Sequence, residues 1–175
     1  MRVRNVAIAS AVAIGAVVMT SLPATAADTT TTFTVTATSG LAISAPDSAA
    51  LSSAAPGGTA SGSLGNVTVN DQRSQLNSTW TATVALSTAF TTGTGTASET
   101  ISGGQVTYTP GNPVAETNPP HTPGTVGTLT AQRNAYVRAS GDGANAVTWN
   151  PSVSVAVPAG NVSGDYSGVI THSVS

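Results

Sequence analysis

Cysteine and lysine are both absent from the 175 residues, and the aromatic complement is only two Trp, three Tyr and two Phe. Without cysteine there can be no disulfide, no thiolate nucleophile and no zinc–thiolate site, so stability has to come from burial and backbone hydrogen bonds. Without lysine, the only cations are five arginines set against seven acids, a formal net charge of −2. Nucleic-acid binding depends on clustered positive charge, which this chain does not have, so DNA and RNA are excluded as partners. Long apolar runs are scarce as well. After the first two dozen residues none approaches membrane-spanning length, so no membrane span is expected in the mature chain.

That first run has the parts of an export leader. Arg2 and Arg4 form a short positive region, and NVAIASAVAIGAVVMTSL supplies an apolar stretch. Leu22-Pro23-Ala24-Thr25-Ala26 then offers an A-x-A cleavage signal. Residues 1–26 are therefore expected to be a cleaved signal peptide and residues 27–175 a single secreted domain. Of the arginines, Arg73, Arg133 and Arg138 would remain beside all the acids. A domain of this size buries roughly 70% of its unfolded surface, enough for a core that needs no covalent staples. Arginine used to the exclusion of lysine, with abundant Ala, Thr, Ser and Gly, points to a GC-rich bacterial genome.

What is present is strand periodicity. In Thr32-Phe33-Thr34-Val35-Thr36-Ala37-Thr38 apolar and polar residues alternate, as they do in WTATVALS, where Trp80, Ala82, Val84 and Leu86 share a face. LGNVTVND, GQVTYTP, NAYVRAS, AVTWN, SVSVAVP and the terminal DYSGVITHSVS read the same way, rich in the Val and Thr that suit a pleated surface. Dense Gly and Pro punctuation separates the runs. Gly141-Asp142-Gly143 is expected to close a tight hairpin between NAYVRAS and NAVTWN. TPGNPVAETNPPHTPGTVG is expected to be an extended surface loop. About eight short strands without a helical stripe predict an all-β fold, a single antiparallel β-sandwich following the signal peptide.

Signals for catalysis and cofactors are missing. His121 and His172 have no metal-ligand spacing between them or with an acid, and serines occur without a G-x-S-x-G elbow. There is no phosphate loop, no dinucleotide fingerprint and no calcium-loop pattern at Asp142, so no metal, no cofactor and no enzymatic activity are expected. Asp71-Gln72-Arg73 reads as a turn at a strand end, with Asp71 accepting backbone amides and pairing with Arg73. Trp80 is expected in the core, and His172 half-buried on a strand face.

Three stretches, in order, resemble the WxL domain of Gram-positive surface proteins, particularly its divergent actinobacterial versions. VTVNDQR followed by WTATVALSTAF is similar to the family's D-x-R … W-x-L segment, with Asp71, Arg73 and Trp80 at matching positions and Phe90 at the closing aromatic. VTWNPSVSVAVPAG resembles the strand that leads into the C-terminal motif. The last run resembles Y-x-x-x-aliphatic-T-W-x-L: Tyr166, Ile170 and Thr171 match, while His172 stands for the tryptophan and Val174 for the leucine. Ala82 likewise occupies the leucine position of the first motif. The resemblance implies a β-rich module held noncovalently on the cell wall, with peptidoglycan as partner and other surface proteins as possible partners. Asp71, Arg73, Trp80, Tyr166, Ile170, Thr171 and His172 are its motif and candidate binding residues. The alternative is a soluble secreted binding protein for a polysaccharide or another surface protein, without wall affinity.

Overall fold

The computed structural model describes residues 30–37 and 40–175, so the expected signal peptide, Thr38 and Ser39 lie outside the described residues. The chain divides into two units, Met1–Thr34 and Val35–Ser175. All described strands belong to the second: β1 (Leu41–Ser44), β2 (Thr59–Ser63), β3 (Val67–Asp71), β4 (Trp80–Thr91), β5 (Thr100–Ile101), β6 (Val106–Thr109), β7 (Pro113–Thr117), β8 (Thr122–Pro123), β9 (Gly127–Thr128), β10 (Arg133–Arg138), β11 (Asn145–Trp149), β12 (Ser152–Ala156) and β13 (Ser167–Val174). The fold is all-β, as the alternation predicts.

Every pairing is antiparallel, and the strands form three sheets. The first runs β1–β3–β11–β7, the second β13–β4–β10–β8 and the third β2–β12–β6–β9. β4 is the spine of the second sheet. One of its edges carries β13 from Ala82 to Thr91; the other carries β10 over Trp80–Val84 and then β5 at Phe90 and Thr91. β11 and β12 are nearly continuous in sequence yet belong to different sheets. The crossing falls at Asn150-Pro151, where a residue without an N–H interrupts the ladder.

All three sheets contribute to one core. Val67, Val69, Val147 and Trp149 come from the first, Trp80, Ala82, Val84 and Tyr136 from the second, and Val106, Tyr108, Val153 and Val155 from the third. The rings of Tyr136 and Trp149 stack with centroids 4.6 Å apart. Trp80 is buried, as its place in the alternating run requires, and so is Trp149.

Three sequence expectations need correction. Gly141-Asp142-Gly143 does not close a hairpin, because β10 and β11 lie in different sheets and each already has both edges occupied, by β4 and β8 and by β3 and β7. The loop is tied instead to the segment before β4: Ser78 N donates to Gly141 O (2.7 Å) and Gly143 N to Gln75 O (2.7 Å). The proline-rich stretch is not simply a surface loop, since it contributes β7, β8 and β9. Pro113 opens β7 and Pro123 lies in β8, both at sheet edges, where a missing donor leaves the ladder intact. Finally, residues 30–37 form no strand. Alternation creates a strand only where an edge is available to pair with, and here Phe33 is 87% and Val35 75% exposed.

β13 pairs with β4 from Ser167 to Val174 and places Ile170 and Val174 against the core. Removing Tyr166–Ser175 strips one whole edge from β4. The truncated chain is expected to lose its cooperative thermal transition in circular dichroism; an unchanged melting curve would show that β13 is dispensable.

Candidate functional site

The motif residues Asp71, Arg73 and Trp80 meet at one end of the fold, around a residue that the sequence reading passed over. Asp71 ends β3 with its carboxylate fully buried. It accepts from Arg73 in three ways, through the backbone N (3.0 Å), Nε (2.8 Å) and Nη2 (2.9 Å). The Ser78 hydroxyl and Asn145 Nδ2 (3.2 Å) also donate to it. The turn-and-pair arrangement expected from Asp71-Gln72-Arg73 is therefore present, with two more donors from distant sequence. The Arg73 guanidinium, helped by Ser78 and Asn145, holds the Asp71 carboxyl well below the usual carboxylate range, against the opposing effect of burial.

Asn145 opens β11 and is buried. Besides donating to Asp71, its Oδ1 accepts from Trp80 Nε1 (2.9 Å), linking the first sheet to the second. The imidazole of His121 stacks on Trp80 with centroids 5.6 Å apart. His121 Nδ1 lies 3.1 Å from Glu116 Oε2, and its Nε2 lies 3.4 Å from Arg138 Nη1. The same Nε2 lies 3.4 Å from Asn145 Oδ1, so it faces both a donor and an acceptor and joins the two polar groups at one point. Arg138 is buried at the end of β10 and donates from Nε to Ser78 O (3.0 Å) and from Nη1 to Asn118 O. His121 thus relays between a buried guanidinium and a partly exposed carboxylate.

The C-terminal motif residues do not join this cluster. Tyr166 ties down a loop, its hydroxyl donating to Val162 O (2.9 Å) and accepting from Asn161 Nδ2 (3.2 Å). Ile170 packs against the core, and Thr171 faces solvent with its hydroxyl 2.8 Å from that of Ser87. His172 is half-buried, as expected. Trp149 Nε1 donates to Tyr108 Oη (3.0 Å), and Tyr108 Oη lies 3.1 Å from His172 Nε2. With its oxygen already accepting from the indole, the hydroxyl proton is free to donate to His172. Burial pushes the His172 imidazole down to about 4, which keeps Nε2 an acceptor in neutral solution, and burial also raises the Tyr108 phenol.

His172, Ile170 and Phe90 line a partly open pocket of about 180 Å³ together with Leu51, Leu64 and the Pro46–Ala49 stretch. Among the described residues no three His, Asp or Glu side chains converge as a metal site would require. No helix there is long and apolar enough to cross a membrane. No protein-family model, curated protein or solved structure matches the chain. The class of protein that the structure defines is therefore an all-β assembly of antiparallel sheets with two buried polar networks.

The sequence analysis missed Asn145, Arg138, Glu116 and His121 as members of these networks. For Asn145 a signal existed: it shares the inward face of β11 with Val147 and Trp149, so period two alone put an amide in the core. For His121, set among prolines, only the fold reveals the partners.

Both titrations act in one direction. The neutral His172 of the native state must compete with a protonated one in the unfolded chain, so stability falls as pH drops from about 6.5 toward 4, by on the order of 2–3 kcal/mol. The depressed Asp71 carboxyl adds a second loss only below about pH 4, where the unfolded chain takes up its proton. Denaturant titrations across pH 3–7 are expected to show both phases. His172→Gln, which keeps an acceptor for Tyr108, should flatten the upper phase and spare the lower.

Proposed function

We propose that the protein is an exported bacterial surface module, similar to the WxL domain, that associates noncovalently with the cell wall and works by binding and structure rather than catalysis. The observation that carries this reading is that Asp71, Arg73 and Trp80, the residues of the D-x-R … W segment, form one connected network through Asn145. Residues bonded to one another in this way serve the scaffold, so their arrangement supports a likeness of architecture. By the same token Asp71 and Trp80 are buried and the partly exposed Arg73 guanidinium is committed to Asp71 and the Thr79 carbonyl, so the binding surface is sought elsewhere.

The outward face of the second sheet has suitable chemistry. Opposite the buried Trp80, Ala82 and Val84, β4 presents Thr81, Thr83 and Ala85, and β13 adds Thr171 beside Ala85 and Ser173 beside Thr83. Ser87 and Thr171 are hydrogen-bonded to each other, and Gln132 donates to Thr83 Oγ1 (2.6 Å). This is a flat array of hydroxyl and amide groups without a formal charge, suited to the hydroxyls and N-acetyl groups of wall glycan. Its contacts would be short-range and only weakly sensitive to salt.

Purified protein mixed with isolated sacculi is expected to sediment with them at both low and moderate salt. Thr83→Glu/Thr171→Glu, which places two carboxylates on this face, should weaken sedimentation at least tenfold. Protein that stays in the supernatant would instead support a soluble secreted binding protein without wall affinity.

A further inference from the structure

The polar chain that ends at His172 leaves one hydrogen-bond donor unused. Tyr108 Oη accepts from Trp149 Nε1 and gives its own proton to His172 Nε2 (3.1 Å), so the neutral imidazole carries its proton on Nδ1. Among the described residues, the buried side-chain nitrogens and oxygens that lack a partner are Arg133 Nε and Arg138 Nη2. Nδ1 of His172 has no protein partner either, yet it is not one of these, so it reaches solvent.

The surface that His172 lines is the partly open pocket of about 180 Å³, on the side of β13 opposite Thr171 and Ser173. Leu51, Leu64, Phe90 and Ile170 supply its apolar wall. Gly168 lets the Phe90 ring stand there, because a Cβ would come within 3.0 Å of that ring and 2.9 Å of the Thr88 carbonyl oxygen. Asp47 and Ser48, both exposed, add a carboxylate and a hydroxyl at the rim. This set of groups is selective. An anion finds no cation among the lining residues and meets Asp47 instead. A hydrocarbon leaves the imidazole N–H without a partner, which forfeits a hydrogen bond that water would have made. A bare sugar ring, hydroxylated on all sides, does not suit leucine and phenylalanine walls. An acetamido group answers every feature, with a methyl for the apolar wall, a carbonyl oxygen for the imidazole N–H and an N–H for the rim acceptors. Mostly apolar lining with a few placed polar groups is the usual constitution of a small-ligand pocket. Size agrees as well: a cavity of about 150 Å³ holds a benzene ring, so this one takes an acetamido group and the edge of an adjoining ring, not an oligosaccharide.

We infer that the pocket is a binding site for an N-acetyl group. The methyl lies against Leu51, Phe90 and Ile170, the carbonyl oxygen accepts from His172 Nδ1, and the amide N–H is directed to Asp47 or Ser48. The acetyl can come from an N-acetylated sugar or from an N-acetylated peptide end, which present the same three groups. This site is separate from the hydroxyl face of the second sheet, and a module without wall affinity would still possess it.

Titration of the full chain with N-acetylglucosamine, followed through the imidazole nitrogen resonances of His172, tests the inference. A saturable shift at Nδ1 is expected, with none from glucose or glucosamine. N-acetylalanine methylamide separates the two sources: a matching shift means that recognition ends at the acetamido group, and no shift means that the rim also reads sugar hydroxyls. Ala49→Phe sets a ring into the pocket from an exposed position and should weaken binding by about tenfold or more. Asp47→Ala, which removes only a rim acceptor, should weaken it less. Thr83→Glu/Thr171→Glu, which alters the opposite face, should bind as before, so this result stands or falls apart from sedimentation with sacculi. The absence of a saturable shift, an equal response to glucose, or undiminished binding by both pocket variants would overturn the inference.

Discussion

A side-chain amide holds two sheets together. Asn145 stands on β11 of the first sheet, donates to the Asp71 carboxylate on β3 of the same sheet, and accepts from the Trp80 indole on β4 of the second. Both partners are buried: without the amide, the Trp80 indole N–H would lose its partner with no water to replace it, and the Asp71 carboxylate would lose one donor while keeping Arg73 and Ser78. An orphaned buried donor or acceptor costs about 1–3 kcal/mol, and more where a charge is involved. The cluster therefore does more than bond its members. It fixes which end of β11 faces which end of β4, because any other register leaves the indole unsatisfied and the carboxylate one donor short. Arg138 extends the same constraint to β10 and to the loop carrying Ser78.

A second polar chain performs the same task across three sheets. Trp149 on the first donates to Tyr108 on the third, and Tyr108 meets His172 on the second. In a core without disulfides, such chains supply directional contacts that aliphatic packing alone does not. They also give a physical reason for a histidine at position 172: a ring nitrogen can accept from the tyrosine hydroxyl. The resulting sensitivity to acid follows from asking a titratable ring to stay neutral in a partly buried position.

Much of this architecture was legible in the residues. Period-two alternation located β3, β4, β6 and β10 through β13, and correctly buried Trp80 while leaving His172 half-buried. It failed where side chains are small or the strand is an edge. TASGS in β2 has no apolar alternation to read, and β7, β8 and β9 hide among prolines that a sheet edge tolerates. Alternation also cannot say which strands pair, which is why Gly141-Asp142-Gly143 looked like a hairpin and residues 32–38 like a sheet member. The candidate site was half visible. Asp71 and Arg73 declare each other at a spacing of two, whereas Asn145, Arg138 and His121 reach the cluster only through long-range topology.

The central claim is that Asn145 couples the two sheets through Asp71 and Trp80. A double-mutant cycle of Asn145→Ala and Trp80→Phe, read by denaturant unfolding at neutral pH, tests it most directly. The account predicts that each single change is destabilising and that the pair is less so than their sum, with a coupling energy of about 1–3 kcal/mol. Strict additivity, with Asn145→Ala costing no more than an exposed substitution, would contradict it.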